Sequence, residues 1–380
     1  MRSQGRAFCL LESLTAGGCY AINMRYAINV FKIMADKEEN ATPVRERCVT
    51  SYPARRAYRP GVVHPPEVPG VAGSIDIHCH AHEGQQDALS LAKLASQSGM
   101  AGILYKTIGP ISGEYHPARE MNKVREELHR WSDQTGIAPI KCWAGYGITM
   151  DNKEPSLEKL RQNLESGVAG VWLPVFNHAN TYNKVGGKEI WMNKSADPKA
   201  HTPPLTWDEA LKYGHYMIEA DGRLKPFYEE VIRMVADHDV ALFFGHATHP
   251  EIYAIADLLV RLGFRRGVVD HPFSPFVDLS IQQMKDMAAA GIYLNFTYDE
   301  ISPLLGVDPK RMYDAIRAVG VQHVTLSSDA GEPLFPHSAE CMRLIRGYME
   351  AFGLSAAELD QVCCTNPAHV VKYQQAVTVG

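Results

Sequence analysis

Gln97-Ser-Gly-Met-Ala-Gly-Ile-Leu-Tyr-Lys106 and Glu165-Ser-Gly-Val-Ala-Gly-Val-Trp-Leu-Pro174 are two copies of one turn. In each, a helical run stops at serine and glycine, and an apolar strand follows at once. Glycine is the usual residue just past a helix end, because it enters the left-handed backbone region without a Cβ penalty. Similar entries occur at Gly267 to His271 and Gly291 to Phe296. Apolar runs predict eight strands: residues 75–79, 102–106, 140–146, 170–175, 240–245, 267–271, 291–296 and 323–328. Helical patterns at Asp87 to Gln97, Leu157 to Ser166, Pro226 to His238 and Pro250 to Leu262 lie between them. The alternation predicts an α/β chain with a parallel sheet. Eight units over about 300 residues predict a closed (β/α)8 TIM barrel, with a doubly wound open sheet as the alternative.

In a TIM barrel the chemistry sits at the C-terminal ends of the strands, and here the polar residues collect at those positions. Strand 1, in Ser74-Ile-Asp-Ile-His-Cys-His-Ala-His82, carries His78 and His80. Residues i and i+2 of a strand face the same way, so both imidazoles can reach one metal ion. Strand 2 ends in Lys106, strand 5 in His246, strand 6 in His271 and strand 8 in Asp329. One histidine at a strand end is ordinarily structural. Several at matching ends point to a shared site.

The 380 residues, 46% of them hydrophobic, can bury a large core. A net charge of −5 without a Lys/Arg cluster excludes an electrostatic footprint for nucleic acid or an anionic membrane. The eight cysteines show no CxxC or CxxxC pairing, which argues against a disulfide framework or a structural zinc motif and fits the reducing cytoplasm.

The ordered pattern His78-x-His80, His246, His271 and Asp329 resembles the metal-binding pattern of the amidohydrolase superfamily of metal-dependent hydrolases. Asn366-Pro367-Ala368 is similar to that superfamily's final helix start, and the resemblance spans residues 74 to 375. The Gly-Ile-Leu-Tyr-Lys, Val-Trp-Leu-Pro, Gly-His-Ala-Thr-His-Pro-Glu and Val-Asp-His-Pro blocks look most like a poorly characterised branch of small-molecule hydrolases. The resemblance implies one or two divalent transition metal ions, zinc first and manganese, iron or cobalt otherwise, held by His78, His80, Lys106, His246, His271 and Asp329.

Many two-metal relatives bridge their ions with a carbamylated lysine or a glutamate at the end of strand 4, but this strand runs Val-Trp-Leu-Pro-Val-Phe-Asn-His and has neither. Lys106 is the substitute, either as a carbamate or as an ammonium that binds a substrate carboxylate. The expected activity is hydrolysis of a C–N bond in a small amide or cyclic amide, with Asp329 as the proton-transfer group. The alternatives are a single-metal non-oxidative decarboxylase, a lactone or phosphoester hydrolase, and a non-catalytic barrel scaffold.

Roughly 60 residues separate strands 4 and 5, more than a barrel unit needs. Residues 177–225 therefore read as an insertion, lid-like over the pocket or packed on a neighbouring subunit of a homo-oligomer. His178 and Tyr182 are its expected substrate contacts, with Lys184, Trp191 and Trp207 as further candidates, and Tyr216 to Leu224 reads as a hairpin around Asp221-Gly222. His82 and His249 read as supporting residues, and Glu251 as an acid at a helix start. Residues 1–73 read as an N-terminal extension and lead-in, and 74–380 as the barrel. Residues 1–33 match neither a membrane span nor a secretory signal. They read as a dispensable extension or an organelle-targeting peptide.

Overall fold

Both serine–glycine turns form as their sequence requires. Ser98 and Ser166 cap the helices before them, and Gly99 and Gly167 follow with φ of 73° and 86°. A Cβ would be strained in that region, so the chain can leave the helix and enter a strand within three residues. The structure is a computed structural model that describes residues 70–82, 85–110, 115–150, 154–186, 203–331 and 335–373. The expectations for residues 1–33, for most of the lead-in and for Trp191 lie outside the described residues.

The elements run β1 (Ile75–His82), α1 (Ala88–Gln97), β2 (Gly102–Gly109), α2 (Pro117–Thr135), β3 (Lys141–Gly147), α3 (Leu157–Glu165) and β4 (Gly170–Trp172). Next come α4 (Ala179–Val185), α5 (Trp207–Tyr213), α6 (Pro226–Asp237), β5 (Ala241–Phe243), α7 (His249–Leu262), β6 (Gly267–Asp270), α8 (Ile281–Ala289) and β7 (Tyr293–Thr297). The chain continues through α9 (Tyr298–Ile301), α10 (Pro309–Val319), β8 (Val324–Ser327), α11 (Ser338–Phe352), α12 (Ala356–Asp360) and α13 (Asn366–Val370). All eight expected strands are present. They pair in parallel in the order β1 to β8, which makes the fold a (β/α)8 TIM barrel.

Closure between β8 and β1 occurs at the strand ends. The Asp329 N–H donates to the His78 carbonyl at 2.9 Å, and the His80 N–H donates to the Ala330 carbonyl at 2.7 Å. The buried Asp76 carboxylate adds to this seam by accepting from the Ser328 and Ser338 hydroxyls and from the backbone N–H of His78 and Ser328. Asn366 steadies β8 from below, donating to the carbonyls of Val321 and Val324, both at 2.7 Å. Asn366 does begin the last helical segment, but a π-helical stretch, Gln361–Thr365, links it to α12.

Several strand ends differ from expectation: β4 and β5 stop at Trp172 and Phe243, short of the expected 175 and 245, whereas two strands run longer. β1 reaches His82 and β2 reaches Gly109, because the two go on pairing beyond His80↔Thr107. Lys106 is therefore inside its strand and not at the tip. The pairing register also shifts between Asp76 and Cys79 and again between Cys79 and His80, across His78 on one strand and Lys106 on the other. Such irregularities re-aim side chains. The core is aliphatic and aromatic, with Ile75, Ile103, Leu104, Trp172, Phe243, Val268, Leu294 and Leu326 buried. Among the described residues, no helix is long and apolar enough to cross a membrane.

Candidate active site

His78, His80 and Asp329 meet across the β8–β1 seam, and their ligand atoms all lie within 4.8 Å of one another. His78 Nε2 is 3.3 Å and His80 Nε2 is 3.0 Å from Asp329 Oδ1. The other His78 nitrogen, Nδ1, is 3.0 Å from Asp270 Oδ1, yet neither His78 nitrogen makes a contact with hydrogen-bond geometry. Buried polar atoms are normally satisfied. A buried imidazole whose nitrogens face carboxylates without hydrogen-bond geometry, beside a second imidazole, fits a divalent metal ion. Among the described residues this is the one group of three His, Cys, Asp or Glu side chains close enough to hold an ion.

The other two expected histidines are neighbours of that group and not members of it. The His271 ring centroid is 5.8 Å from that of His78, and His246 is 5.1 Å from His271. Three of the imidazoles share one arrangement. His80 Nδ1 is hydrogen-bonded to Thr107 Oγ1 at 3.1 Å, His246 Nδ1 to Thr181 Oγ1 at 3.1 Å, and His271 Nδ1 to Ser274 Oγ at 2.9 Å. Each hydroxyl fixes a ring orientation and leaves Nε2 on the far side. Asp270 is held in turn by the Trp172 indole N–H at 2.9 Å and the Asn295 amide at 2.8 Å.

Backbone conformation contributes as well. His271 and Asp329 have φ of 36° and 51°, a region that non-glycine residues seldom adopt. Gly331 follows with φ of 138°, where a Cβ would lie 2.3 Å from the His80 carbonyl oxygen. Only glycine lets the β8 loop pass this close to β1.

Burial sets the protonation states. It lowers the His80 and His271 imidazoles to about 4 and pushes His246 well below its ordinary value, so all three are neutral at neutral pH. Burial pulls the Asp329 carboxyl upward, but contact with His78 and His80 outweighs it and holds the group well below the usual carboxylate range. Neutral imidazoles and an ionised carboxylate are the forms that bind metal.

Lys106 is 2% exposed and borders a cavity of about 90 Å³ that His80, His246, His271, Asp299 and Asp329 also line. Its ammonium is 5.9 Å from the Trp172 ring centroid, and it has no ion-pair partner among the described residues. Burial lowers its pKa against the pull of Asp329, Asp270 and Asp299.

The structure does not bring His178 to this cavity. Its Nδ1 accepts from the Asn180 N–H to cap α4, and its Nε2 is 3.1 Å from Glu251 Oε1, both side chains fully buried. Glu251 is in a capping box with Thr248 at the start of α7 and also accepts from the Met217 N–H at 2.7 Å, so it ties the insertion to the barrel. Tyr182 is half-buried on α4 and does not line the cavity, and Lys184 is exposed. Trp207 packs edge-on against Tyr216. The hairpin forms, with Ile218 paired to Leu224 and Gly222 at φ 83°. His249 bonds to the Val277 carbonyl and Gln283.

Asp270, Thr107, Thr181, Ser274 and Asp299 were not identified from the sequence. Asp270 and Thr107 adjoin His271 and Lys106, so adjacency was a usable signal. Thr181 has none.

Residues 73–295 match a family of unknown function (DUF6282). No curated protein matches. Among solved structures, an amidohydrolase from Pseudomonas aeruginosa is 11% identical, with 80% of this chain and 98% of that one covered and a TM-score of 0.51. An N-acetyl-D-glucosamine-6-phosphate deacetylase from Mycobacterium smegmatis is 12% identical, with coverages of 79% and 76% and a TM-score of 0.45. A 2,6-dihydroxybenzoate decarboxylase from Rhizobium is 12% identical, with coverages of 79% and 99% and a TM-score of 0.39. At these identities the likeness is one of fold. The match over more than half of its length places the chain in the family of unknown function DUF6282, and its fold is similar to that of the amidohydrolase from Pseudomonas aeruginosa.

Proposed function

We propose that the protein is a metal-dependent hydrolase that cleaves the C–N bond of a small amide or cyclic amide. The observation that carries this reading is the convergence of His78, His80 and Asp329, with both nitrogens of the buried His78 facing carboxylates without hydrogen-bond geometry. These three residues would hold a divalent ion, and His246 and His271 would complete its shell or hold a second. Zinc suits this donor set best, with manganese, iron and cobalt also suited to imidazole and carboxylate. Such an ion, when bound, supplies a water acidic enough to ionise near neutral pH and a polarised substrate carbonyl.

The protein's own residues do the rest. With the ion bound, Nδ1–H of His80, His246 and His271 would donate to Thr107, Thr181 and Ser274, which would leave the Nε2 lone pair of each ring for the ion. Asp329 is ionised at neutral pH, takes the proton of the attacking water and delivers it to the leaving nitrogen. Lys106 acts as a carbamate ligand. Its buried, unpaired amine attacks carbon dioxide, an N–C bond forms, and the released proton goes to solvent. Mass or density should show the added carboxyl group, and Lys106→Ala should lose a second ion. If Lys106→Arg keeps all its metal and loses only substrate affinity, Lys106 is an ammonium for a substrate carboxylate.

A single-metal decarboxylase is the second reading. It is supported by the fact that one ligand group, and not two, is assembled among the described residues. Metal analysis and a panel of amides, lactones, phosphoesters and aromatic acids separate the readings. One to two equivalents of metal with amide turnover support the hydrolase, and the His78→Asn, His80→Asn double variant should fold without binding metal. Carbon dioxide release without water uptake supports the decarboxylase. No metal and no turnover would leave a scaffold.

A further inference from the structure

The cavity beside the candidate ligands carries four apolar side chains on four separate segments. Phe176 follows β4, Phe276 follows β6, Leu304 follows α9, and Phe335 lies beyond β8. Folding accounts for Phe276, a core residue, and in part for Phe176, which packs against the core, but not for Leu304 or Phe335. Leu304 is 46% exposed, and Phe176 and Phe335 are only partly buried. Phe276 stacks on His246 at 4.5 Å between centroids, and Phe176 meets the same imidazole edge-on at 5.8 Å. The apolar wall is therefore continuous with the candidate metal ligands.

The rest of the lining limits what can enter. Gln85, Lys106 and Asp299 are its polar groups besides the histidines and Asp329, and no arginine lines it among the described residues. A phosphate or nucleotide calls for guanidinium groups or a backbone nest, and a sugar calls for a dense set of hydrogen-bonding side chains. A small ring calls for an apolar wall beside polar groups that orient it, and here four apolar side chains stand beside seven polar ones in the described lining. The cavity, about 90 Å³, is on the scale of one such ring.

We propose that the substrate is a small amide bearing a single aromatic ring or branched apolar group, seated against Phe176, Phe276, Leu304 and Phe335. This rests on the hydrolase reading above. The ring leaves water and packs on the phenyl faces and edges. The amide is thereby directed toward His246, His271 and Asp329.

The test uses the full-length, metal-loaded protein and matched amides: acetanilide and benzamide against N-methylacetamide, acetamide and N-acetylglucosamine. One methylene in an apolar pocket changes kcat/KM by about 10- to 200-fold, so the phenyl amides should exceed their methyl counterparts by at least roughly 100-fold. Leu304→Ser, at an exposed position that folding tolerates, and Phe176→Ala should each cut that ratio about tenfold. Equal or better turnover of N-acetylglucosamine or acetamide would overturn the proposal and leave the hydrolase reading intact. If no amide is cleaved, thermal shifts decide. Stabilisation by benzamide but not acetamide, lost in Phe176→Ala, would keep the apolar specificity and reject the hydrolase. Equal shifts with both ligands would reject the specificity as well.

Discussion

Thr181 Oγ1 is 3.1 Å from His246 Nδ1, so a residue of the segment inserted between β4 and β5 orients an imidazole at the end of β5. Asn180 strengthens the connection by donating to the carbonyls of His246 and Phe276. Thr181→Val keeps the shape and removes the hydroxyl. The variant should fold with a lower melting temperature, because the same hydroxyl donates to the buried Val175 carbonyl, and lose about 10- to 100-fold in metal affinity, the usual effect of removing a ligand's supporting partner. Calorimetric titration with zinc measures it, and an unchanged affinity would show that His246 needs no such support.

Glu251 fastens the same insertion elsewhere, through His178 and the Met217 N–H. Glu251→Ala would strand a buried imidazole and a buried backbone donor. A loss of about 3–5 kcal/mol in urea unfolding is expected, the range for breaking a buried pair by removing one partner. Glu251→Gln retains an acceptor and should lose clearly less.

The metal-free protein should weaken in mild acid. Free histidine takes up a proton near 6.5, whereas burial keeps His80 and His271 neutral down to about 4. Between these values the unfolded chain binds protons that the folded one does not. The histidine contribution is therefore complete above about pH 6.5 and is lost as pH falls toward 4, by about 3 kcal/mol per imidazole at full titration. Urea midpoints at pH 7 and pH 4.5 should differ much less in a His80→Asn, His271→Asn variant. A wild-type midpoint that does not fall would contradict the lowered values.

Asp329→Asn preserves size, and asparagine tolerates the left-handed backbone at this position. It cannot accept a proton. Metal should bind more weakly, because an anionic ligand becomes neutral, and at saturating metal turnover should fall by about 10² to 10⁴, the size of a general acid–base contribution. An Asp329→Asn protein with full metal occupancy and more than half of wild-type turnover would remove Asp329 from proton transfer.

Gly331→Ala puts a methyl group where the His80 carbonyl and Cβ already stand, at 2.3 and 2.5 Å. Either the β8 loop or β1 must shift. Metal affinity and thermal stability should fall together, and a change in neither would mean that the seam tolerates displacement.

The barrel was legible because its signals are local. A glycine and an apolar run lie within ten residues of each other at 97–106 and 165–174, and the fold only repeats them. His78, His80, His246, His271 and Asp329 were legible for the same reason, since a strand end is recognised from its own sequence. What the sequence concealed depends on neighbours. The register shifts across His78 and Lys106 arise from how β1 pairs with β2, and neither strand encodes them alone. The same holds for His178. It looks like a site residue in sequence, but its partner Glu251 is 73 positions away, and the pair serves to anchor the insertion.

His80 and Asp329 are 249 residues apart and become neighbours only when the last strand closes against the first. With the ion held there as proposed, a nascent polypeptide has no complete binding position until β8 has been synthesised and docked. Ion capture would then mark completion, because it rewards the finished molecule and ignores truncated or stalled ones. In a cell where free metal is scarce, this would keep half-made chains from sequestering it.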